Sequence, residues 1–222
     1  MANTVKCPIP GPRSTRNTLK VLSPDPITLD KIRVVTNSEP KFLTEEEIER
    51  LFGAIGDPRN LAIMRVAYHR GLRASEVGLL QLADYRPAAK RLLVHRLKGS
   101  HSGEYLLTDH ETRALNAWVK IRGAEPGPLF PSNRGTGIDR RMLDVLMKRY
   151  GAAAEIPDAK RHMHCLKHSC GTHLLSGTRS LAPLDVAEVQ DHLGHADIRN
   201  TMVYSQITNR RRDEIARRIK AW

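Results

Sequence analysis

Between Leu82 and Leu107 the apolar residues change period, and that change limits what the chain can fold into. On either side they recur at helical spacing. Here Arg91-Leu-Leu-Val-His-Arg-Leu-Lys98 alternates, Gly99-Ser-His-Ser-Gly103 is a turn, and Glu104-Tyr-Leu-Leu107 returns. A hairpin set in a helical pattern predicts an α+β domain, mainly α-helical, with a small antiparallel β-hairpin or sheet. Lys98 then stands at the hairpin shoulder, where a long cation either reaches into a cleft or faces water.

The helical signals begin at Phe42. Thr44 and Glu47 form a capping box ahead of Ile48, Leu51 and Phe52. Asp57-Pro58 opens a second helix through Ile63, Val66, Ala67 and Tyr68, which Gly71 stops. A third helix starts at Arg73-Ala-Ser-Glu76 and continues toward Leu80. Arg73 sits at the turn beside a helix N-terminus, where backbone N–H groups favour an anion; a local i,i+3 pair with Glu76 is the plainer reading. Asp109 to Ile121 is helical, with Leu115, Trp118, Val119 and Ile121 apolar, and a Gly/Pro loop spans Gly123 to Gly137. Asp139 to Tyr150 carries Met142, Leu143, Leu146 and Met147 on one face and Arg140, Arg141, Lys148 and Arg149 on the other. That basic face is either a DNA surface or a solvated one. A short basic helical tail, about 209–222, closes the chain with Ile215, Ile219 and Trp222 apolar.

Charge decides which partner to expect. Lys and Arg number 36 against 24 Asp and Glu, a net +12 over 222 residues, which points to a polyanion and most simply to double-stranded DNA. No 18-residue apolar run or signal-like segment argues for a membrane, and three cysteines without framework spacing suit a reducing cytoplasm. Residues 1–40 are rich in proline and net positive, an extended arm that either lies along DNA or is solvated. The domain proper then covers 41–222.

Two stretches concentrate reactive side chains. In Arg161-His-Met-His164-Cys-Leu-Lys167-His168-Ser-Cys-Gly-Thr-His173, Leu166, Cys170, Leu174 and Leu175 suit a buried helix face. His164, Lys167 and His168 share part of another. A zinc site is the rival, but no HExxH glutamate or paired-cysteine knuckle is present and Lys167 lies between the would-be ligands, so phosphate binding is favoured and no metal is expected. In His192-Leu-Gly-His195-Ala-Asp-Ile-Arg-Asn-Thr-Met-Val-Tyr204, Gly194 ends one helix. A second short helix carries Tyr204, with Ile198, Met202 and Val203 around it. Alone, this reads as a core tyrosine beside a polar cap.

Arg73, Lys98, His164, Lys167, His195 and Tyr204 together suit phosphoryl transfer. Attack on a phosphodiester adds charge to its nonbridging oxygens, so fixed cations are needed there, and a phenol needs the same positive field to react at neutral pH. In order, Gly71-Leu-Arg73-Ala-Ser-Glu76, Lys98-Gly, His164-Cys-Leu-Lys167-His168, Leu193-Gly-His195 and Tyr204 resemble the successive boxes of the tyrosine recombinase (phage integrase) family, from about Phe42 to the end. Within it the chain is most similar to the small fimbrial phase-switch invertases, through His95-Arg-Leu-Lys98, His164-Cys-Leu-Lys167-His-Ser-Cys-Gly171 and Gln190-Asp-His-Leu-Gly-His195 and the missing N-terminal core-binding domain.

The resemblance implies a tyrosine recombinase catalytic domain performing site-specific DNA inversion, integration or excision in a bacterial or phage, nucleoid-associated setting. Tyr204 attacks the scissile phosphate, Arg73 and Lys167 clamp its oxygens, His164 and His195 donate hydrogen bonds or shuttle protons, and Lys98 protonates the leaving oxygen. Glu76 and His168 support the site. No cofactor is expected, and strand exchange requires a synaptic tetramer on DNA. The family normally has arginine where Lys167 stands, and lysine loses the planar fork that grips two oxygens. A weakened or silent DNA-binding regulator of the same fold is therefore the alternative, and single-subunit strand relaxation of the type IB topoisomerase kind shares the chemistry.

Overall fold

The computed structural model describes residues 41–97, 100–205 and positions 216, 217, 219 and 220. The arm expected over 1–40, Lys98 and most of the tail expected over about 209–222 lie outside the described residues. The local signals act where they stand in the sequence. Thr44 caps α1 (Glu45–Gly53) through the Glu47 N–H, and Asp57 caps α2 (Pro58–His69) through the Asn60 N–H. Thr108 and Glu111 form a further capping box on α4 (Asp109–Arg122), and Asp139 caps α5 (Arg140–Ala153). Each such cap stabilises its helix by about 1 kcal/mol.

The third helix is much shorter than its pattern suggests: α3 covers only Ala74–Val77. The reason is tertiary. Gly78 passes directly under the 137–138 backbone, where a Cβ would lie 2.4 Å from the Ile138 carbonyl oxygen. The chain beyond it pairs with the Gly/Pro loop, through Leu129 N to Leu80 O at 2.8 Å and Leu82 N to Gly127 O at 2.9 Å. A 3₁₀ turn, Leu82–Asp84, then leads into the sheet.

That sheet has three antiparallel strands in chain order, β1 (Tyr85–Arg86), β2 (Arg91–Val94) and β3 (Gly103–Leu106). The register pairs Leu92 with Tyr105 and Val94 with Gly103. The hairpin is therefore a three-stranded sheet, and its central strand stops at Val94 rather than running to Lys98. Past Val94 the backbone turns to other partners: Arg96 N to Ser102 Oγ at 3.0 Å, Leu97 N to Glu76 Oε1 at 3.4 Å and His101 N to Gly194 O at 3.1 Å. The hairpin end is thus anchored to the site.

Two apolar clusters share α6 (Met163–Ser176). Met163 and Leu166 belong to the large cluster, with Leu51, Ile63, Leu92, Leu115, Phe130 and Met147. Cys170 and Leu175 belong to a smaller one with Val189, Leu193 and Tyr204, supplied by α7 (Val186–His192) and α8 (Arg199–Ser205). Wedged between both, α6 is buried nearly all round, with His164 its one exposed residue. Ile121, Met142, Ile198, Met202 and Val203, read as apolar contacts, are exposed instead. In α8 it is Tyr204 that turns inward.

Candidate active site

The site is assembled where the end of α2, the start of α3, the sheet end and helices α6 to α8 meet. Gly71 has φ +55°, a left-handed turn that ends α2 and presents its carbonyl inward. Two residues on, Arg73 is the N-cap of α3. Its Nη1 donates to Glu76 Oε1 at 2.8 Å and to Ser100 Oγ at 3.2 Å, and its backbone N–H donates to Glu76 Oε2 at 2.8 Å. About a third of the Arg73 side chain remains open, while Glu76 is fully buried. Burial opposes the Glu76 charge, yet the bonds from Arg73 and the nearby cations Arg96 and Lys167 hold it below the usual carboxylate value. Glu76 thus orients Arg73 rather than facing a substrate.

Lys167 and His164, one turn apart on α6, differ in burial. Lys167 is 2% exposed, and its Nζ donates to the Gly71 carbonyl at 3.0 Å. Burial, with Arg96 and Arg73 beside it and only partly offset by Glu76, pushes its pKa down to about 7. His164, by contrast, lies on the surface, lining a cleft of about 490 Å³ with Arg73, Ser75, Arg140 and His162. Asp144 lines it too and pairs with Arg140 at 3.7 Å, which leaves Arg73 as the arginine that no acid lining the cleft pairs with.

A chain of rings joins His164 to the phenol. His164 stands edge-on to His168 (4.2 Å between centroids), His168 to Tyr204 (5.6 Å), and His195 stacks near-parallel to Tyr204 at 6.4 Å. Tyr204 is 2% exposed, and its ring lies flat on the α6 backbone at Gly171, where a Cβ would be 2.5 Å from Cε2. Burial raises the Tyr204 pKa, and Arg73 pulls it back only in part. His195 is buried, its Nδ1 paired with Thr201 Oγ1 at 2.9 Å. With Thr201 donating, Nε2 carries the proton and can donate to an oxyanion.

Burial and neighbouring cations depress the pKa of His168, His192 and His195 to about 4, and that of His69 to about 3, all from 6.5. These histidines are neutral in the folded chain, so unfolding takes up protons as pH falls below 6.5. Their stabilisation is complete above pH 6.5 and is lost as pH falls through about 4. The urea midpoint is expected to fall across that window, with a slope of about 1.4 kcal/mol per pH unit for each proton taken up. A midpoint unchanged down to the lower end would mean these rings are not held neutral.

The basic residues of α5 divide. Arg140 lines both the cleft of Arg73 and a neighbouring open groove, Arg141 and Lys148 line only that groove, with Val145, and Arg149 lies over the Tyr150 ring. The structure therefore gathers Arg73, Glu76, Lys167, His168, His195 and Tyr204 around one point, with His164 and Arg140 at its mouth. Lys98 lies outside the described residues. Among those residues, no three His, Cys, Asp or Glu side chains converge as metal ligands, and no helix is long and apolar enough to cross a membrane.

Two participants escape a reading of the sequence. Gly171 is the floor under Tyr204. Arg96 is a buried cation in the sheet end, and its one signal was the alternation Leu92, Val94, Arg96, an inward-facing series continued past the strand.

Comparison with known proteins follows the same lines. Residues 41–211 match the Phage integrase family. The chain is 32% identical over 177 residues to the type 1 fimbriae regulatory protein FimB of Escherichia coli (strain K12), covering 76% of this chain and 86% of that protein. It is 34% identical over 177 residues to the tyrosine recombinase XerC of Erythrobacter litoralis (strain HTCC2594), covering 76% of this chain and 56% of that one. Among solved structures, XerA recombinase superposes with a TM-score of 0.70 at 25% identity, covering 82% of this chain and 64% of that one. The XerH site-specific recombinase, in a post-cleavage complex with palindromic difH substrate, matches with a TM-score of 0.69 at 24% identity, over 86% of this chain and 57% of that one. The chain thus spans little more than half the length of the XerC and XerH proteins.

Proposed function

The chain belongs to the phage integrase family of tyrosine recombinases, and from that premise we propose that it cleaves and rejoins double-stranded DNA at specific sites. One observation carries this reading: Arg73, Lys167, His195 and Tyr204, far apart in sequence, meet at the Gly71 turn and the α6 wall. Tyr204 Oη attacks the phosphorus as its proton passes by way of His164 or His195 to solvent; the bond from phosphorus to the 5′-oxygen breaks, and that oxygen takes a proton from Lys98. Arg73 and Lys167 neutralise the charge that grows on the nonbridging oxygens, while His195 and His164 donate hydrogen bonds to them. The phosphodiester's bond energy stays in the 3′-phosphotyrosyl link, so rejoining needs no separate energy source. Exchange of strands between two sites requires four protomers on DNA, and the chain then acts in association with the nucleoid.

A suicide substrate, nicked beside the cleavage site so that the 5′-hydroxyl fragment diffuses away, should trap covalent protein–DNA. Absence of any adduct at a bound cognate site would overturn the reading. A second reading, a DNA-binding regulator of this fold with little or no cleavage, is favoured by the state of Lys167, which is buried on a protein carbonyl and only marginally charged at neutral pH.

Binding itself should be steeply salt-dependent under either reading. Each phosphate neutralised contributes a slope of about −0.9 in log affinity against log salt. Replacing Arg141 or Lys148 of α5 by alanine is expected to reduce the slope by about 1 without changing sequence preference. An unchanged slope would place the DNA elsewhere.

A further inference from the structure

Arg96 is a charge in a place water does not reach, and the mechanism above does not use it. Its side chain is 0% exposed. Nη1 donates to Gly71 O and to Glu76 Oε2, both at 3.1 Å, and Nη2 donates to Arg70 O at 2.7 Å and His192 O at 3.2 Å. The four acceptors belong to three parts of the site. Arg70 and Gly71 form the turn before Arg73, Glu76 holds Arg73, and His192 ends the helix that leads through Gly194 to His195. Arg96 also crosses the face of Tyr105 at 5.9 Å.

The contact at Gly194 is close. With φ +64°, a Cβ there would lie 2.7 Å from the His101 carbonyl oxygen and 3.1 Å from Arg96 Nε. The sheet end and the α7 end therefore meet backbone to backbone, with the guanidinium as their filling. The Gly71 carbonyl accepts from both Arg96 and Lys167, so two buried cations share one acceptor and one counter-charge, Glu76. A buried ion pair adds little net stability compared with well-packed apolar residues, because its desolvation cost is large. An arginine here has a purpose beyond holding the fold.

We propose that Arg96 is a positioning residue of the recombination site. Its guanidinium locks the Arg73–Glu76 turn, the sheet end that leads to Lys98 and the α7 end that leads to His195 into one register, and through Gly71 and Glu76 it governs the charge on Lys167. This rests on the function proposed for the site. The charged and titratable groups around Lys167 are Arg73 and Glu76 from the α3 turn, Arg96 from the sheet end, His195 beyond α7, and Cys170, His164 and His168 from α6 itself. Of these, Arg96 is the cation on a separate element that shares the Gly71 carbonyl with Lys167 and that substrate does not reach.

Two measurements on Arg96→Gln and Arg96→Lys test this: single-turnover adduct formation on the suicide substrate, and the pH titration of Lys167 through the neutral and mildly alkaline range, followed without DNA by NMR of isotopically labelled lysine, since the side chain is too buried for reagents. For Arg96→Gln, DNA affinity should hold within about twofold, since no phosphate contact is removed. Adduct formation should fall about 10²-fold from misplaced groups. The Lys167 titration midpoint should move to higher pH, because a neighbouring cation is gone. Arg96→Lys, which keeps the charge without the fork, should keep the titration midpoint near wild type and recover part of the rate. The proposal is overturned if Arg96→Gln keeps the wild-type rate. It is also overturned if the rate falls only in proportion to the folded fraction with the titration curve unmoved. Should Arg96→Gln not fold, Arg96→Lys with the full wild-type rate overturns it equally, because the planar fork is then not needed. If wild type yields no Tyr204-dependent adduct, the recombinase reading fails, and the titration shift still decides the link from Arg96 to Lys167.

Discussion

Replacing Tyr204 with phenylalanine is expected to abolish covalent attachment to DNA while leaving the fold and DNA binding intact. The loss should be at least about 10⁴-fold in adduct formation, the scale seen when a nucleophile is removed. The fold should tolerate the change because the ring is what packs. It lies on Gly171 and within the cluster of Cys170, Leu175, Val189 and Leu193, and phenylalanine keeps those contacts. The unfolding midpoint should shift by no more than about 1 kcal/mol equivalent. The free chain also keeps this phenol protonated, since burial holds its pKa up. A DNA phosphate drawn in by Arg73 and Lys167 must therefore accompany deprotonation, and reagents that modify phenolates should leave Tyr204 untouched in the absence of DNA. An adduct formed equally by the phenylalanine variant would transfer the chemistry to another residue.

The second large effect is expected at Lys167. Lys167→Arg restores a planar fork with a charge that does not titrate, and one added charge-assisted hydrogen bond to a phosphate oxygen is worth about 1.5 kcal/mol, or roughly tenfold in rate. The pH dependence is more diagnostic. Lys167 has its folded pKa lowered from 10.5 to about 7, so below that it is charged and above it is neutral in the free chain. Adduct formation at limiting DNA should decline as pH rises through about 7 in wild type and stay flat there for Lys167→Arg. For stability the sign is opposite: unfolding takes up a proton between about pH 7 and 10.5, so burying Lys167 costs less as pH rises through that window. Equal rates and parallel pH profiles for the two proteins would show that Lys167 does not touch the phosphate. No cleavage by wild type, with cleavage restored in Lys167→Arg, would favour the regulator reading.

Much of the helical frame was legible because its determinants are local. Thr44 with Glu47, Asp57 with Pro58 and the left-handed Gly71 each satisfy or end a helix within a few residues, so spacing alone places them. The strand alternation behaved likewise up to Val94. Beyond it, partners distant in sequence took over the backbone, and the ladder stopped at the point where Glu76 and Gly194 became available.

The side chains of the site divide in the same way. The sequence by itself determined which groups were present, their order and the family they belong to, since Arg73, His164, His195 and Tyr204 stand in recognisable boxes. Only the tertiary structure decided what state those groups are in. Helical spacing put Lys167 with His164, but neighbouring elements cover nearly all of α6 except at His164, so one became a buried, weakly charged donor to Gly71 and the other stayed a surface residue at the cleft mouth. Spacing also surrounded Tyr204 with Ile198, Met202 and Val203, which turn outward, and gave no sign that Gly171 would lie under its ring. Arg96 stood in the strand pattern, marked only by its alternation with Leu92 and Val94. Desolvation, and the sharing of one carbonyl and one carboxylate between two cations, arise from contacts among residues up to about a hundred positions apart.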